Sequence, residues 1–224
     1  MSKVLAFIGA LALSFSAWAQ QDLAPDQLVQ KITDDVLAAI KSDKQLAAGD
    51  RQKALKLAEE KVLAYIDFEQ ATRLAVGRAW REATPEQRKR LVTEFRNMLV
   101  RTYSNAIGTY QGQTLKVLPS RGKTDPEDTT VRTQFMRPGG QPLPIDFSMR
   151  KTDQGWKVFD ITVEGVSLVM TYRSEFDAVV KQEGIDGLIK RLASKNIPAA
   201  GVGSSAASTK SDKAPAKAEK KFGQ

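Results

Sequence analysis

The chain has 224 residues and contains neither histidine nor cysteine. These absences exclude disulfide bonds and His-based catalytic triads and remove the commonest zinc and copper ligand, so any enzymatic function would have to use carboxylates, lysine, serine or tyrosine. We expect no catalytic residue, no metal and no cofactor. A formal charge of +8 suits anionic lipid or an acidic protein as a partner and not nucleic acid, since no basic helix with interleaved aromatic residues occurs.

The N-terminus has the three parts of a secretory signal peptide. Lys3 supplies a positive charge, an apolar run covers Val4–Phe15, and Ala17-Trp18-Ala19 provides the small-x-small pattern that signal peptidase recognises. The run is shorter than the roughly 20 residues that a membrane-spanning helix needs. We therefore expect cleavage after residue 19, export to the periplasm, and a soluble mature chain that begins at Gln20.

Four helices are predicted next. The first covers Pro25–Lys41, where an apolar residue recurs every four positions, and the second covers Asp50–Leu63. A capping aspartate with glutamine three residues later opens the third, over 67–78. The clearest start signal is Thr84-Pro85-Glu86-Gln87, with a capping threonine, proline at the first helical position and a glutamine that closes the capping box. The helix that follows is expected to reach about Tyr110.

Strands follow the helices. Short strands are predicted at Leu115–Leu118 and Val131–Met136, and the turn signal at 137–140 ends the second. Residues 143–150 alternate between apolar and polar side chains, which is typical of a strand with one buried face. After a turn at 153–155, Trp156–Val163 is the next strand. We expect the last three strands to form an antiparallel, curved sheet with one apolar side.

Two helices and a low-complexity tail close the chain. Gly165-Val166-Ser167 ends the last strand and caps a helix that carries Tyr172 and Phe176, and a short helix covers 185–194. The segment 197–224 is rich in Ala, Ser and Lys and has too little apolar area to order itself, so it is predicted to be a disordered basic tail. The predicted organisation is a signal peptide at 1–19, one α+β domain at 20–196, and the tail.

Three groups are candidates for chemistry. Ser120-Arg121-Gly122-Lys123 matches the S-x-x-K pattern of serine–lysine acyl-transfer enzymes, but it lies in a predicted turn and not at the start of a helix. Ser167 follows Gly165 as in a nucleophile elbow, yet the second glycine is missing, so a helix cap is favoured. Asp146 and Asp160 lie in neighbouring predicted strands and could form a carboxylate pair for acid–base work.

Seven short segments stand in a fixed order, with the sequences VGRAW (76–80), ATPEQR (83–88), YSNAIGTYQG (103–112), WKVFD (156–160), VEGVSLV (163–169), YRSEF (172–176) and GIDGL (184–188). In this series the chain resembles the MlaC family, also called the toluene-tolerance family of periplasmic proteins, from about residue 25 to 195. Single segments are weak signals, whereas seven in register behind a signal peptide are specific.

The resemblance implies a periplasmic phospholipid carrier of the Mla pathway, which maintains the lipid asymmetry of the outer membrane. Its partners would be a phospholipid ligand, an outer-membrane lipoprotein–porin complex, and an inner-membrane ABC transporter with an MCE-domain subunit. The implied fold is an antiparallel curved sheet packed against N- and C-terminal helices, with an apolar lipid cavity between them. We expect a monomer.

Periodicity alone assigns the apolar stripes to an ordinary core, whereas the resemblance makes them cavity walls. Arg173 is expected to contact the headgroup or a partner, with an ion pair to Asp or Glu as the alternative. The residues expected to bind lipid are Val76, Leu99, Tyr103, Ile107, Phe135, Leu143, Ile145, Phe147, Val166, Val169, Tyr172 and Phe176.

Two other classes stay open on composition and pattern. A periplasmic chaperone for unfolded outer-membrane proteins would also be basic, cysteine-free and partly helical. An enzyme acting on an apolar substrate through Asp146 and Asp160 would need neither histidine nor a metal.

Overall fold

The first half of the described chain is helical, as its apolar periodicity predicts. The structure is a computed structural model, and it describes residues 23–103, 112–119 and 127–194. The predicted signal peptide, the basic tail and the S-x-x-K motif at Ser120 lie outside the described residues. The helices are α1 Pro25–Ser42, α2 Lys44–Ala47, α3 Arg51–Lys61, α4 Phe68–Val76, α5 Ala79–Glu82 and α6 Pro85–Tyr103, with a 3-10 turn at Leu63–Tyr65.

The four predicted helices are present as α1, α3, α4 and α6, and the last three of them begin at side-chain caps. Asp50 accepts hydrogen bonds from the backbone of Gln52 and Lys53 at the start of α3. At the start of α6, the Thr84 backbone N–H donates to Gln87 Oε1 (3.0 Å), and the Gln87 N–H donates to Thr84 Oγ1 (3.2 Å). This is the predicted capping box. Helices α2 and α5 were not predicted, because four residues are too few to show a period.

Five antiparallel strands form one open sheet. They are β1 Thr114–Val117, β2 Asp128–Met136, β3 Leu143–Thr152, β4 Gly155–Val163 and β5 Val166–Ser167, and they lie side by side in chain order. The predicted α+β class with an antiparallel sheet is confirmed. The expected three-stranded sheet is too small, because β1 pairs with β2, and the two residues of β5 pair with the end of β4 before the helix begins.

One face of the sheet is apolar, and its register follows from the alternation seen in the sequence. Phe135 lies opposite both Leu115 on β1 and Leu143 on β3, and Phe147 lies opposite Val131 and Ile161. A β-bulge places an extra residue, Phe159, between the pairs Ser148–Asp160 and Met149–Val158. Val158 therefore faces the apolar side, whereas Asp160 faces the other side of the sheet.

Apolar side chains gather in three clusters of different composition. The helical cluster joins α4, α5, α6 and the C-terminal helices around Phe95, Tyr172 and Phe176. The sheet cluster packs Leu28 and Val29 of α1 against Val131, Met149 and Val158 of the sheet. A third, smaller cluster holds α1, α2 and α3 together around Ile40, Leu46, Ala54 and Leu57.

The C-terminal helices differ from the prediction in where they break. Helix α7 covers only Leu168–Thr171 and ends at Tyr172, and α8 covers Arg173–Ala193. Within α8 the backbone of Gly184 is not helical, with φ 71° and ψ −177°, which divides it where two helices were predicted. No helix among the described residues has the length and apolar character required to cross a membrane.

Candidate functional site

The apolar face of the sheet has two ends with different neighbours. One end is filled by α1 in the sheet cluster. The other end carries a group of apolar residues that we call the distal patch. In this group Leu143 is buried and the other residues are half-buried. None of them belongs to the three clusters formed by described residues. The distal patch comprises Phe135, Leu143, Ile145 and Val163.

The register makes the distal patch continuous. Phe135 lies opposite Leu143, and Ile145 lies between Thr133 and Val163 on the two neighbouring strands. The buried Thr133 hydroxyl donates to the Ile145 carbonyl at 2.5 Å, so its polar atom is satisfied and does not interrupt the apolar surface. Four residues that the sequence predicts to bind lipid lie together on this face of the sheet, namely Phe135, Leu143, Ile145 and Phe147.

The C-terminal end of α6 brings two more predicted residues together with the C-terminal helices. Leu99 packs against the helical cluster. The hydroxyl of Tyr103 lies 3.3 Å from that of Tyr172, which is 69 residues away in the chain. Burial, and secondarily the Tyr172 hydroxyl, raise the pKa of Tyr103 well above its ordinary value. Tyr103 is therefore uncharged at neutral pH, and its hydroxyl makes a polar contact with that of Tyr172.

Val76, Val169, Tyr172 and Phe176 lie inside the helical cluster. Three rings pack there against one another: the Phe95 centroid is 5.5 Å from that of Tyr172 and 5.3 Å from that of Phe176, both edge-on, and Tyr172 and Phe176 are 5.7 Å apart. All three side chains are fully buried. The structure therefore gives these residues a packing role, and their contact with lipid stays a prediction.

Two predicted positions differ from the rest. Val166, on β5, is 45% exposed, as is fitting for the rim of a site and not for its interior. Ile107 lies outside the described residues.

Both carboxylate oxygens of Asp160, one member of the suggested carboxylate pair, accept hydrogen bonds from the protein. Its Oδ1 accepts from the backbone N–H of Ile161 (2.8 Å) and of Val169 (3.1 Å), and its Oδ2 accepts from the Ser167 hydroxyl (2.5 Å). Asp146 lies opposite Thr162 and not opposite Asp160. Ser167 in turn caps α7, because its Oγ accepts from the Met170 N–H at 3.0 Å, as the sequence predicted. Asp160 and Ser167 thus hold the start of α7, and the register does not pair Asp146 with Asp160 across the two strands.

Arginines from three helical elements line a small surface cavity. Arg173, at the first position of α8, is exposed and has no carboxylate within 4.0 Å among the described residues, so the alternative of an ion pair is not met there. The sequence did not single out its companions, because only the fold brings them to Arg173. The cavity has a volume of about 260 Å³ and is lined by Arg73, Leu74, Gly77, Arg78, Trp80, Arg81 and Arg173.

A second surface groove, of about 650 Å³, follows the polar side of α1. Its lining is mainly polar and charged, which does not suit an acyl chain. Among the described residues no group of three or more acidic side chains could hold a metal ion. The groove is lined by Asp26, Gln27, Gln30, Lys31, Asp34, Asp35, Val117, Leu118 and Pro119.

Comparison with known proteins identifies the fold. The family model described as "MlaC protein" matches residues 30–194. The chain belongs to the MlaC family. Its antiparallel sheet and helices match, with a TM-score of 0.71, the structure of a phospholipid-binding protein from Ralstonia solanacearum that was solved in complex with a phospholipid. That protein is 36% identical, and the match covers 78% of this chain and 97% of the other.

Two curated MlaC relatives agree with this assignment. The intermembrane phospholipid transport system binding protein MlaC of Haemophilus influenzae is 22% identical over 174 residues, which are 76% of this chain and 81% of the relative. The toluene tolerance protein ttg2D of Pseudomonas putida is 27% identical over 106 residues, 47% of this chain and 49% of that one. The family is thus one of phospholipid-binding transport proteins and not a family of enzymes.

Proposed function

We propose that this protein binds a phospholipid and carries it through the periplasm, between an outer-membrane lipoprotein–porin complex and an inner-membrane ABC transporter with an MCE-domain subunit. The observation that supports it most is the likeness in fold and sequence to the Ralstonia protein, whose structure contains a phospholipid. In the proposal the chain acts as a monomer without a cofactor, and it contributes to the lipid asymmetry of the outer membrane.

The distal patch supports the proposal on physical grounds. Each methylene exposed to water costs about 0.8 kcal/mol, so a 16-carbon chain costs on the order of 12 kcal/mol. A carrier must replace that water with apolar side chains. Phe135 and Ile145, both half-buried, offer such a surface next to the buried Leu143, and none of the three clusters of described residues includes them.

The acyl chains would lie along the distal patch and Phe147, with Leu99, Tyr103 and Ile107 on the opposing side. Tyr103 contributes a ring whose hydroxyl is already paired with Tyr172, so the ring can meet an acyl chain without leaving a buried polar atom unsatisfied. Val76, Val169, Tyr172 and Phe176 would form the layer behind these contacts, and Val166 the rim. Binding needs no catalytic group, which agrees with the absence of histidine.

Release would require two states of the site. A partner can drive lipid out only if it binds better to a state with lower lipid affinity. The junction at Tyr172, between α7 and α8, joins the helical cluster to the residues next to the sheet and is the place where such a change would be transmitted.

The test is native mass spectrometry of the purified mature protein, followed by extraction and identification of the lipid. We expect close to one phospholipid per chain. The variant Leu143→Trp fills the distal patch without burying a charge, and it should lose the lipid while its far-ultraviolet circular dichroism stays unchanged. Met136→Trp is the matched control, because Met136 ends the neighbouring strand on the opposite face and is exposed.

A lipid-free mass that stays unchanged after incubation with phospholipid vesicles would reject the proposal. Binding of unfolded outer-membrane protein by the same sample would then favour the chaperone. Equal lipid content in Leu143→Trp and Met136→Trp would instead reject the distal patch as the site while leaving lipid binding intact.

A further inference from the structure

The arginine-lined cavity has an excess of positive charge that the described part of the protein does not neutralise. Arg78 forms an ion pair with Glu82 (3.3 Å), and both side chains are exposed, so the pair contributes little. Arg73, Arg81 and Arg173 have no carboxylate within 4.0 Å among the described residues. Like charges held around one small cavity repel each other, and an anion in the cavity would remove that repulsion.

Arg173 is the residue that ordinary helix electrostatics do not explain. Arg73 lies in the last turn of α4, where a positive charge is favourable to the helix dipole. Arg173 is the first residue of α8, the end at which a positive charge is unfavourable. Its guanidinium nevertheless lies against Gly77 and lines the same cavity as the other arginines.

The backbone makes room for this guanidinium. Gly77 has a φ of +62°, and a Cβ built there would lie 3.1 Å from Arg173 Nε and 3.1 Å from Arg173 Nη2. Trp80 also lines the cavity, and it is held by Arg88, whose Cζ lies 5.6 Å from the ring centroid and whose Nε donates to the Trp80 carbonyl at 2.9 Å. The aromatic part of the lining is thus anchored next to the arginines.

The size and the donors of the cavity fit a phosphate group. At about 260 Å³ it is smaller than the roughly 300–1,000 Å³ of drug-sized ligand pockets, so a lipid headgroup fits and a pair of acyl chains does not. Guanidinium groups from three helical elements match the oxygens of a tetrahedral phosphate, whereas a carboxylate presents two oxygens in one plane. Met170, 42% exposed, lies beside Arg173, with its Sδ 3.9 Å from Nη1, and adds an apolar contact of the kind a membrane surface accepts.

We propose that the cavity lined by Arg73, Arg78, Arg81 and Arg173 is a phosphate-binding site, separate from the distal patch, which takes the phosphodiester of a lipid headgroup at a membrane surface. The site needs no lipid in the distal patch, so it stands or fails independently of the carrier proposal.

The first experiment follows the two indole N–H signals of the mature protein by NMR while inorganic phosphate is added at constant ionic strength. The Trp80 signal should shift in a saturable way and the Trp156 signal should not, because Trp156 lies in the sheet cluster. Arg173→Gln should weaken phosphate binding about tenfold, which is the loss of one charge-assisted hydrogen bond. Arg90→Gln, an equal change of charge at an exposed position of α6, should leave it unchanged.

Vesicles identify the source of the phosphate. The membrane headgroup is supported if more protein sediments with phosphatidylglycerol vesicles than with phosphatidylcholine vesicles. Arg173→Gln should reduce this difference, and Arg90→Gln should not. A saturable shift with phosphate but equal sedimentation of all variants keeps the site and assigns it to soluble phosphate. The proposal is overturned if phosphate does not shift the Trp80 signal. It is also overturned if a glutamate-rich peptide shifts that signal and phosphate does not.

Discussion

The Asp160 carboxylate on β4 accepts a hydrogen bond from the Val169 backbone N–H, 3.1 Å away on α7. The same carboxylate holds the Ser167 hydroxyl, which caps α7. One side chain of the sheet thus fixes the start of the helix that leads into the helical cluster.

Asp160→Ala should lower the free energy of unfolding by about 3 kcal/mol, because hydrogen bonds to charged groups contribute roughly 1.5–3 kcal/mol each and the Val169 N–H loses its partner. Urea unfolding measures this. Asp146→Ala is the control on the same face, and its effect should stay within about 0.5 kcal/mol. Equal losses in the two variants would contradict the role given to Asp160.

Tyr103 should make the protein less stable at alkaline pH. Because burial raises its pKa in the folded state above the ordinary value of about 10, the folded state holds the proton more tightly than the unfolded one. The stabilisation is complete below about pH 10 and is lost as the pH rises toward the folded-state pKa. Urea midpoints taken on both sides of pH 10 should therefore fall with rising pH, and less steeply in Tyr103→Phe. An identical decline in the variant would contradict this.

The three-ring group should be a main source of stability in the helical cluster. Phe176→Ala removes a fully buried ring that contacts Phe95 and Tyr172, and it should cost about 3–5 kcal/mol, with Phe176→Leu costing clearly less. Thermal and urea unfolding of both variants measure the difference. Two variants that unfold like the wild type would show that the rings do not pack as described.

Gly77 and Arg173 should be energetically coupled. Gly77→Ala places a Cβ against the guanidinium and strains a backbone at φ +62°, which together should cost about 1–3 kcal/mol. When Gly77→Ala is made together with Arg173→Ala, the clash with the guanidinium is absent and only the backbone strain remains. In a double-mutant cycle the combined variant should therefore be more stable than the sum of the single effects by about 0.5 kcal/mol or more. Strict additivity would indicate that the two residues do not touch.

The sequence predicts local structure well wherever a short-range signal exists. The Thr84–Gln87 box, the alternation in β3 and the Ser167 cap each depend on residues within a few positions of one another, and all three are confirmed. Helix α5 has no such signal, because its four residues take their place from packing against α4 and α8 and not from a periodic pattern.

The candidate site was predictable only in part. Alternation places Leu143 and Ile145 on the apolar face of the sheet, but the pairing of Tyr103 with Tyr172 joins residues 69 positions apart and depends on how α6 packs against α8. The arginine-lined cavity depends in the same way on Arg173 meeting α4 and α5. Periodicity also does not distinguish Phe176, in a packed cluster, from Phe135, on the distal patch.

The bulge at Phe159 shifts the alternation of side chains between the two faces of the sheet along β4. With strict alternation, Val158 and Asp160 would share one face, and the carboxylate would point into the apolar side of the sheet. The extra residue is thus what lets a single strand serve both the sheet cluster and the start of α7. An alignment with distant relatives that moves a gap by a few positions within β4 would exchange inward and outward residues, so homology models of such relatives should be anchored at this position first.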